Sequence, residues 1–171
     1  MNKEEMNKEE LTATVFIEIS KNSHIKYEYN KETKTLVCDR ILHTPFKYQF
    51  NYGFIPNTLS EDDDPLDVVV VMDDELVPGC EIECKFIGYL ETEDDDGVDP
   101  KIIMCPCKKV DPTYNNINDV ADLPKLTLEK IKYFFTHYKD LENKMVIVGE
   151  FKGKKEAYQI FLDSIQNYYK H

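Results

Sequence analysis

Short segments in which apolar and polar residues alternate fill the chain from Thr12 to Val110, and this pattern restricts the fold more than any other. In the first segment Val15, Ile17 and Ile19 lie two residues apart, which is the period of a β-strand. Further strands are predicted at Ile25 to Tyr29, Thr35 to Asp39, Leu66 to Met72, Glu81 to Leu90 and Lys101 to Cys107. Turn signals between them are predicted at Asn30, Asn51 to Gly53, Pro78-Gly79 and Asp96-Gly97.

Helical spacing of apolar residues is confined to the last third of the chain. One stripe follows Pro124 and Thr127, and a second closes the chain after a returning strand from Lys144 to Phe151. The two stripes consist of Leu128, Ile131, Phe134, Phe135 and Tyr138, and of Ala157, Ile160, Phe161, Ile165 and Tyr168. Many strands followed by two late helices predict an α+β domain built on a closed or nearly closed sheet.

Size and charge narrow the class of protein. A chain of 171 residues, 42% hydrophobic, is most simply one folded domain, here assigned to residues 12–171. The unit Met1 to Glu5 is repeated at Met6 to Glu10, so residues 1–11 are predicted to be a charged, flexible leader. A formal charge of −12 argues against binding to nucleic acid or to an anionic membrane. No apolar run approaches the roughly 18 residues of a membrane span.

Five cysteines in a chain without an export signal favour reduced thiols and a cytoplasmic location. A zinc site formed by the pairs Cys80/Cys84 and Cys105/Cys107 is an alternative. However, neither pair has the two-residue gap between cysteines that is usual in zinc sites, and no histidine lies near either pair. Buried free thiols are therefore the preferred interpretation.

The segment Asp62 to Val68 carries the strongest chemical signal. It crowds three acids before Pro65 and places Asp67 at the start of an apolar run, where a lone charge is costly to bury. Proline biases the preceding residue toward extended backbone, so acids two apart are expected to point the same way. Carboxylates about 4 Å apart repel by roughly 4 kcal/mol at an effective dielectric of about 20. Such a cluster favours a hard divalent cation such as Mg²⁺, Mn²⁺ or Ca²⁺.

A second acidic cluster, from Glu91 to Lys101, falls where two predicted strands meet. Taken alone, this cluster is better explained by a solvated hairpin tip than by a metal site. An EF-hand loop does not fit, because counting from Thr92 places Ile103 at the twelfth position, where a glutamate is required.

Cationic and aromatic residues supply the candidate anion ligands. Lys26 and Glu28 are expected to share one face of a strand, toward either solvent or a site. Arg40 is the only arginine, and its forked donors match phosphate oxygens, although surface ion pairing is equally open. Hydroxyl groups are added by Tyr48 and Tyr52, although aromatic residues of this kind also suit a hydrophobic core. The pair Tyr138-Lys139 adds a hydroxyl and an ammonium group, although a lysine is also common at the C-terminal end of a helix.

Taken together, these segments resemble the family I soluble inorganic pyrophosphatases, in their short, bacterial-type form. The hallmark Asp-x-Asp-Pro-x-Asp-Val stands here as Asp62 to Val68. The accompanying segments follow in the family's order: Ile17-Glu18-Ile19, Ile25 to Glu28, Asp39-Arg40, Asn51 to Phe54, Asp94 to Lys101 and His137 to Glu142. The resemblance implies an OB-like five-stranded closed β-barrel with flanking strands and two helices in the C-terminal half. It also implies a homo-oligomer, with a hexamer favoured.

The resemblance also implies a role for each matching residue in a Mg²⁺-dependent hydrolysis of pyrophosphate to two orthophosphates. Several ions are expected per site, with Mn²⁺ as a substitute. Asp64 is expected to take a proton from the attacking water. The implied metal ligands are Asp62, Asp67, Asp94 and Asp99; the substrate ligands are Lys26, Arg40, Tyr52, Tyr138 and Lys139; the supporting residues are Glu18, Glu28, Tyr48, Asp95 and Lys101. Short members often carry glutamate where this chain has Asp95, which puts that residue's role in doubt.

Two other classes of function are open to such a chain. An OB-like barrel can bind single-stranded nucleic acid on aromatic platforms, for which Tyr27, Tyr48, Phe50 and Tyr52 are candidates. The acidic charge argues against it, since those grooves are basic. A passive divalent-cation buffer would explain the acids but leaves Lys26, Arg40 and Tyr138-Lys139 without a role.

Overall fold

The computed structural model describes residues 10–170. The strands are β1 (Thr12–Ile19), β2 (Ile25–Asn30), β3 (Thr35–Ile41), β4 (Asn51–Ile55), β5 (Leu66–Val70), β6 (Glu81–Asp94), β7 (Gly97–Val98), β8 (Lys101–Pro106) and β9 (Ile147–Gly153); the helices are α1 (Lys125–His137) and α2 (Lys154–Lys170). Residues 1–9 of the predicted leader lie outside the described residues. Its last two residues contact the barrel: the carbonyl of Leu11 accepts from the Phe86 N–H, and the Glu10 carboxylate from the Lys108 N–H.

Five strands close into a barrel, which confirms the predicted architecture. β1 pairs antiparallel with β4, β4 with β5, and β6 with both β8 and β1, while β5 and β8 run parallel. β6 is 14 residues long, so its first half closes the barrel against β1 and its second half pairs outside it with β7 and β9. β2 and β3 form a separate hairpin. Within residues 10–170 no helix is long and apolar enough to cross a membrane.

The turn predicted at Asn51 to Gly53 is wrong, because these residues begin β4. All five residues of β4 are buried, so the strand lacks the alternation that reveals a half-exposed strand. A Cβ on Gly53 would lie 1.8 Å from the carbonyl oxygen of Phe16, so glycine serves here to let two backbones approach. The side-chain oxygen of Asn51, Oδ1, accepts hydrogen bonds from the backbone N–H groups of Lys21 and Leu76, which fixes two loops beside the strand.

Aromatic residues connect the barrel to both helices. Phe134 and Phe135 of α1 pack against Phe50, with ring centroids 5.4 and 5.5 Å away, and Phe161 of α2 packs against Phe86 of β6 at 4.9 Å. Burying a side chain of this kind contributes about 1.5–3 kcal/mol. The packing of α1 places its C-terminal end, with Tyr138 and Lys139, over one end of the barrel.

Candidate active site

A cavity of about 680 Å³ opens between the end of the barrel, the β2–β3 hairpin and the C-terminal end of α1. Fourteen of the fifteen predicted site residues line it: Glu18, Lys26, Glu28, Arg40, Tyr48, Tyr52, Asp62, Asp64, Asp67, Asp94, Asp99, Lys101, Tyr138 and Lys139. Asp95 does not line it and is exposed. The fold therefore gathers side chains that are up to 121 positions apart in the sequence, from Glu18 to Lys139, into one space.

The acidic segment before β5 forms a tight turn at Asp63. Asp63 has a left-handed φ of 65°, and the Asp64 N–H donates to Asp62 Oδ1 at 3.1 Å. The carbonyl of Asp64 accepts from the Ser60 N–H at 2.8 Å, which closes the turn. Asp62 and Asp64 still line the same cavity, because the turn curls them to one side of β5.

The second acidic cluster is the β6–β7 hairpin, as predicted. Asp94 and Gly97 pair across it, leaving Asp95 and Asp96 as the two turn residues. The Asp96 N–H donates to Asp94 Oδ1 at 2.9 Å, and Asp96 lines the cavity in place of Asp95. Sequence reasoning missed Asp96, since which of two adjacent turn residues faces inward depends on the hairpin's own geometry.

Lys101 is the central cation of the cavity. Its side chain is 7% exposed, and its Nζ lies 2.8 Å from Asp67 Oδ2 and 2.7 Å from Asp99 Oδ2. The ammonium also lies 5.5 Å from the ring centroid of Tyr52. Burial lowers the pKa of Lys101, but the charges of Asp67 and Asp99 outweigh burial and raise it well above the usual value. Lys101 therefore stays charged at neutral pH.

Three acids of the cavity, Glu18, Asp62 and Asp99, hold protons more tightly than free carboxylates do. Burial raises the pKa of Glu18 to about 7 and that of Asp62 to about 6, and Asp67 adds repulsion at both. Burial also raises the pKa of Asp99 to about 7, against the opposing charge of Lys101. Ten carboxylate residues line the cavity against six cationic ones. The site therefore has an excess of negative charge that its own cations do not balance.

This donor set fits hard divalent cations, since it consists of carboxylate oxygens without a lining cysteine or histidine. Within residues 10–170, no three His, Cys, Asp or Glu side chains are arranged to hold a metal as they stand. Asp67 and Asp99 are instead turned onto Lys101, so coordination requires these carboxylates to reorient. All five cysteines are free, and Cys84, Cys105 and Cys107 are buried, as the thiol interpretation predicts.

The cavity lining also carries further cations and hydroxyls. Asp39 links two of the cations: its Oδ2 lies 3.6 Å from Lys26 Nζ and 2.5 Å from Arg40 Nη1. Burial, and next the neighbouring Lys101, lower the pKa of Lys139. Burial raises the pKa of Tyr138 to about 12 and that of Tyr52 well above its usual value, so both hydroxyls stay protonated and able to donate.

Two of the four aromatic candidates for a nucleic-acid platform are buried. Tyr48 and Phe50 are each 1% exposed and pack against Phe134 of α1. Their rings are therefore part of the core and are not available to stack on bases.

Comparison with known proteins matches this geometry to one family. The family model "Inorganic pyrophosphatase" matches residues 15–169. The inorganic pyrophosphatase of Nanoarchaeum equitans is 53% identical over 156 residues, covering 91% of this chain and 96% of that protein. That of Saccharolobus solfataricus is 50% identical over 144 residues, 84% of each chain.

Solved structures agree with these sequence matches. The inorganic pyrophosphatase from Helicobacter pylori superposes with a TM-score of 0.90 at 45% identity, over 92% of this chain and 93% of that one. The enzyme from Thermus thermophilus superposes with a TM-score of 0.88 at 34% identity, over 92% of this chain and 91% of that one. The chain belongs to the inorganic pyrophosphatase family.

Proposed function

We propose that this chain hydrolyses pyrophosphate to two orthophosphates in the cavity, with Mg²⁺ as the activating ion. The observation that carries the proposal is that one cavity gathers carboxylates in excess of cations together with Lys26, Arg40, Lys139 and tyrosine hydroxyls. Pyrophosphate is a tetra-anion when fully ionised, so the excess acids would repel it unless divalent cations neutralise them.

Asp62, Asp67, Asp94 and Asp99, all of which line the cavity, would hold the metal. Divalent ions bound there would neutralise substrate charge and lower the pKa of water. Asp64 is assigned to accept or orient the proton of the water that attacks one phosphorus in line. Burial raises the pKa of Asp64 above its usual value, which makes this carboxylate a stronger base than a free aspartate.

The cations and hydroxyls of the cavity would hold the two phosphoryl groups and stabilise the charge that leaves with one of them. Lys26, Arg40 and Lys139 supply N–H donors, and Tyr52 and Tyr138 supply O–H donors. Glu18, Glu28, Tyr48 and Lys101 would support these groups from within the cavity, whereas Asp95 has no assigned contact there. Nothing in this arrangement requires a covalent intermediate.

A phosphate-release assay tests the proposal directly. Purified protein with pyrophosphate and Mg²⁺ is expected to release two orthophosphates per substrate, and EDTA is expected to abolish the release. Replacing Mg²⁺ with Mn²⁺ is expected to retain activity. Absence of orthophosphate with both metals would refute the proposal.

We also propose that the chain assembles into a hexamer and acts in the cytoplasm. Support for assembly comes from large apolar side chains left exposed on α1 and just after it: Leu126, Tyr133, Leu141 and Met145, each at least 60% exposed. The free thiols support a reducing compartment. Sedimentation analysis is expected to give six times the chain mass of 20.1 kDa, and a monomer across micromolar concentrations would contradict it.

A further inference from the structure

Glu142 is a buried carboxylate to which the proposed mechanism gives no role. It ends the 3-10 turn Asp140–Glu142, directly after Tyr138-Lys139, and its own N–H donates to the Lys139 carbonyl at 2.9 Å. Its side chain is 7% exposed, and its Oε1 lies 2.8 Å from Arg40 Nε. The contact spans 102 residues of sequence and joins the β2–β3 hairpin to the end of α1 across the cavity.

Arg40 is held from two sides. Nη1 lies 2.5 Å from Asp39 Oδ2 and Nε faces Glu142, so two acids at an angle to one another fix the guanidinium plane. Among residues 10–170 no hydrogen bond or ion pair engages Nη2, although Arg40 lines the cavity. A guanidinium fixed in this way can offer its remaining donors to an anion without losing the side-chain entropy that a free arginine would lose.

The pairing leaves one polar atom that a purely structural contact would satisfy. Within residues 10–170 the second carboxylate oxygen of Glu142, Oε2, is buried and has no hydrogen-bond partner. Leaving such an atom unpaired is costly, and it calls for an explanation. If Glu142 served only to attach the turn, apolar packing would do so without that cost.

We infer that Glu142 is a positioning residue: its carboxylate holds the guanidinium of Arg40 in the orientation that grips a phosphoryl group of the substrate. The inference rests on the proposed function, because Arg40 is a substrate ligand only if pyrophosphate binds in this cavity. Glu142 itself acts through Arg40 and is not assigned a contact with substrate.

Kinetics of a double-mutant cycle test the inference. Glu142→Gln keeps the shape of the side chain and removes its charge, so kcat/KM is expected to fall about tenfold or more. Asp140→Asn is the matched control, since Asp140 lies in the same turn but pairs with the exposed His137 at 2.8 Å, and wild-type kinetics are expected. In an Arg40→Ala background, Glu142→Gln is expected to cause no further fall in kcat/KM. The inference would be overturned if Glu142→Gln alone left kcat/KM unchanged, or if it lowered kcat/KM by the same factor with and without Arg40.

The single arginine allows a second readout that needs no activity. Arg40 gives the only arginine Nε–H signal in a ¹H–¹⁵N NMR spectrum of this chain. Glu142→Gln is expected to shift that signal, whereas Asp140→Asn is expected to leave it in place. An Arg40 Nε–H chemical shift that stays unchanged in Glu142→Gln would overturn the inference even if the variant were too unstable for the activity assay. An inactive wild type would refute the proposed function but would leave this spectral test intact.

Discussion

Lys101 shows how one residue can decide the charge balance of a site. Its ammonium is shared by Asp67 and Asp99, which approach it from β5 and from the segment just before β8. With both carboxylates on one cation, each is partly neutralised. A divalent ion therefore competes with Lys101 for these two acids, so metal affinity depends on the contacts of Lys101 as well as on the ligands.

Asp67 is the acid at which that competition can be tested. Asp67→Asn keeps the size of the side chain and an oxygen to accept from Lys101 but removes the charge assigned to the metal. We expect turnover to fall by about 100-fold or more while the circular dichroism spectrum and the melting temperature stay close to those of the wild type. Phosphate release and thermal melting measure the two effects.

The control for this variant lies four residues away. Asp63→Asn removes an acid from the same segment, at an exposed position that does not line the cavity. Asparagine tolerates the left-handed backbone that Asp63 adopts, so the substitution tests charge alone. Near-wild-type activity is expected. An active Asp67→Asn, or an equal loss in Asp63→Asn, would remove the role assigned to Asp67.

At the scale of elements, β4 determines how closely the barrel closes. Gly53 pairs with Ile17 of β1, and the backbone of Phe16 occupies the space where a side chain would begin. Gly53→Ala must push the two strands apart, because the obstructing atom is a backbone oxygen and cannot rotate away. We expect a loss of roughly 3 kcal/mol or more in the free energy of unfolding, measured by urea denaturation.

Gly149→Ala in β9 is the matched substitution for this test. There the added Cβ would meet the end of the Glu91 side chain, 2.7 Å away, which can move. A loss of less than about 1 kcal/mol is therefore expected. Equal losses in the two variants would show that close backbone approach at Gly53 is not what limits the fold.

The same strand shows where sequence reasoning stops. The half-exposed strands and the two helices were predictable, because one buried face leaves a period of two or of about 3.6 in the sequence. β8 is buried throughout and was still predictable, because it contains an unbroken run of apolar residues. β4 is buried on both faces too, but it begins with Asn51 and contains Gly53, so its residues resemble a turn. The site residues on short motifs were predictable from their resemblance to a family. The contacts of Lys101 with Asp67 and of Arg40 with Glu142 were not predictable from the sequence. The two residues of each pair are 34 and 102 positions apart, so no local sequence pattern links them.

For the whole molecule, the acidic cavity implies a stability that depends on pH when metal is absent. Glu18 is 9% exposed, and its burial raises its folded pKa to about 7 from an ordinary value of 4.5. Between these two pH values the folded state binds more protons than the unfolded state, so the free energy of unfolding falls as pH rises. Glu18 alone accounts for a loss of at most about 3 kcal/mol across that interval.

Thermal melting in EDTA from pH 4.5 to pH 8 measures this effect. The melting temperature of the wild type is expected to fall by several degrees as pH rises through that range. In the wild type the Tyr29 N–H donates to Glu18 Oε2 at 2.8 Å, and Glu18→Gln retains an oxygen that can accept this hydrogen bond. Glutamine cannot ionise, so the melting temperature of this variant should fall less steeply with pH. Glu81→Gln, at an exposed position of β6, should follow the wild type. Parallel curves for wild type and Glu18→Gln would show that the cavity tolerates the Glu18 charge without metal.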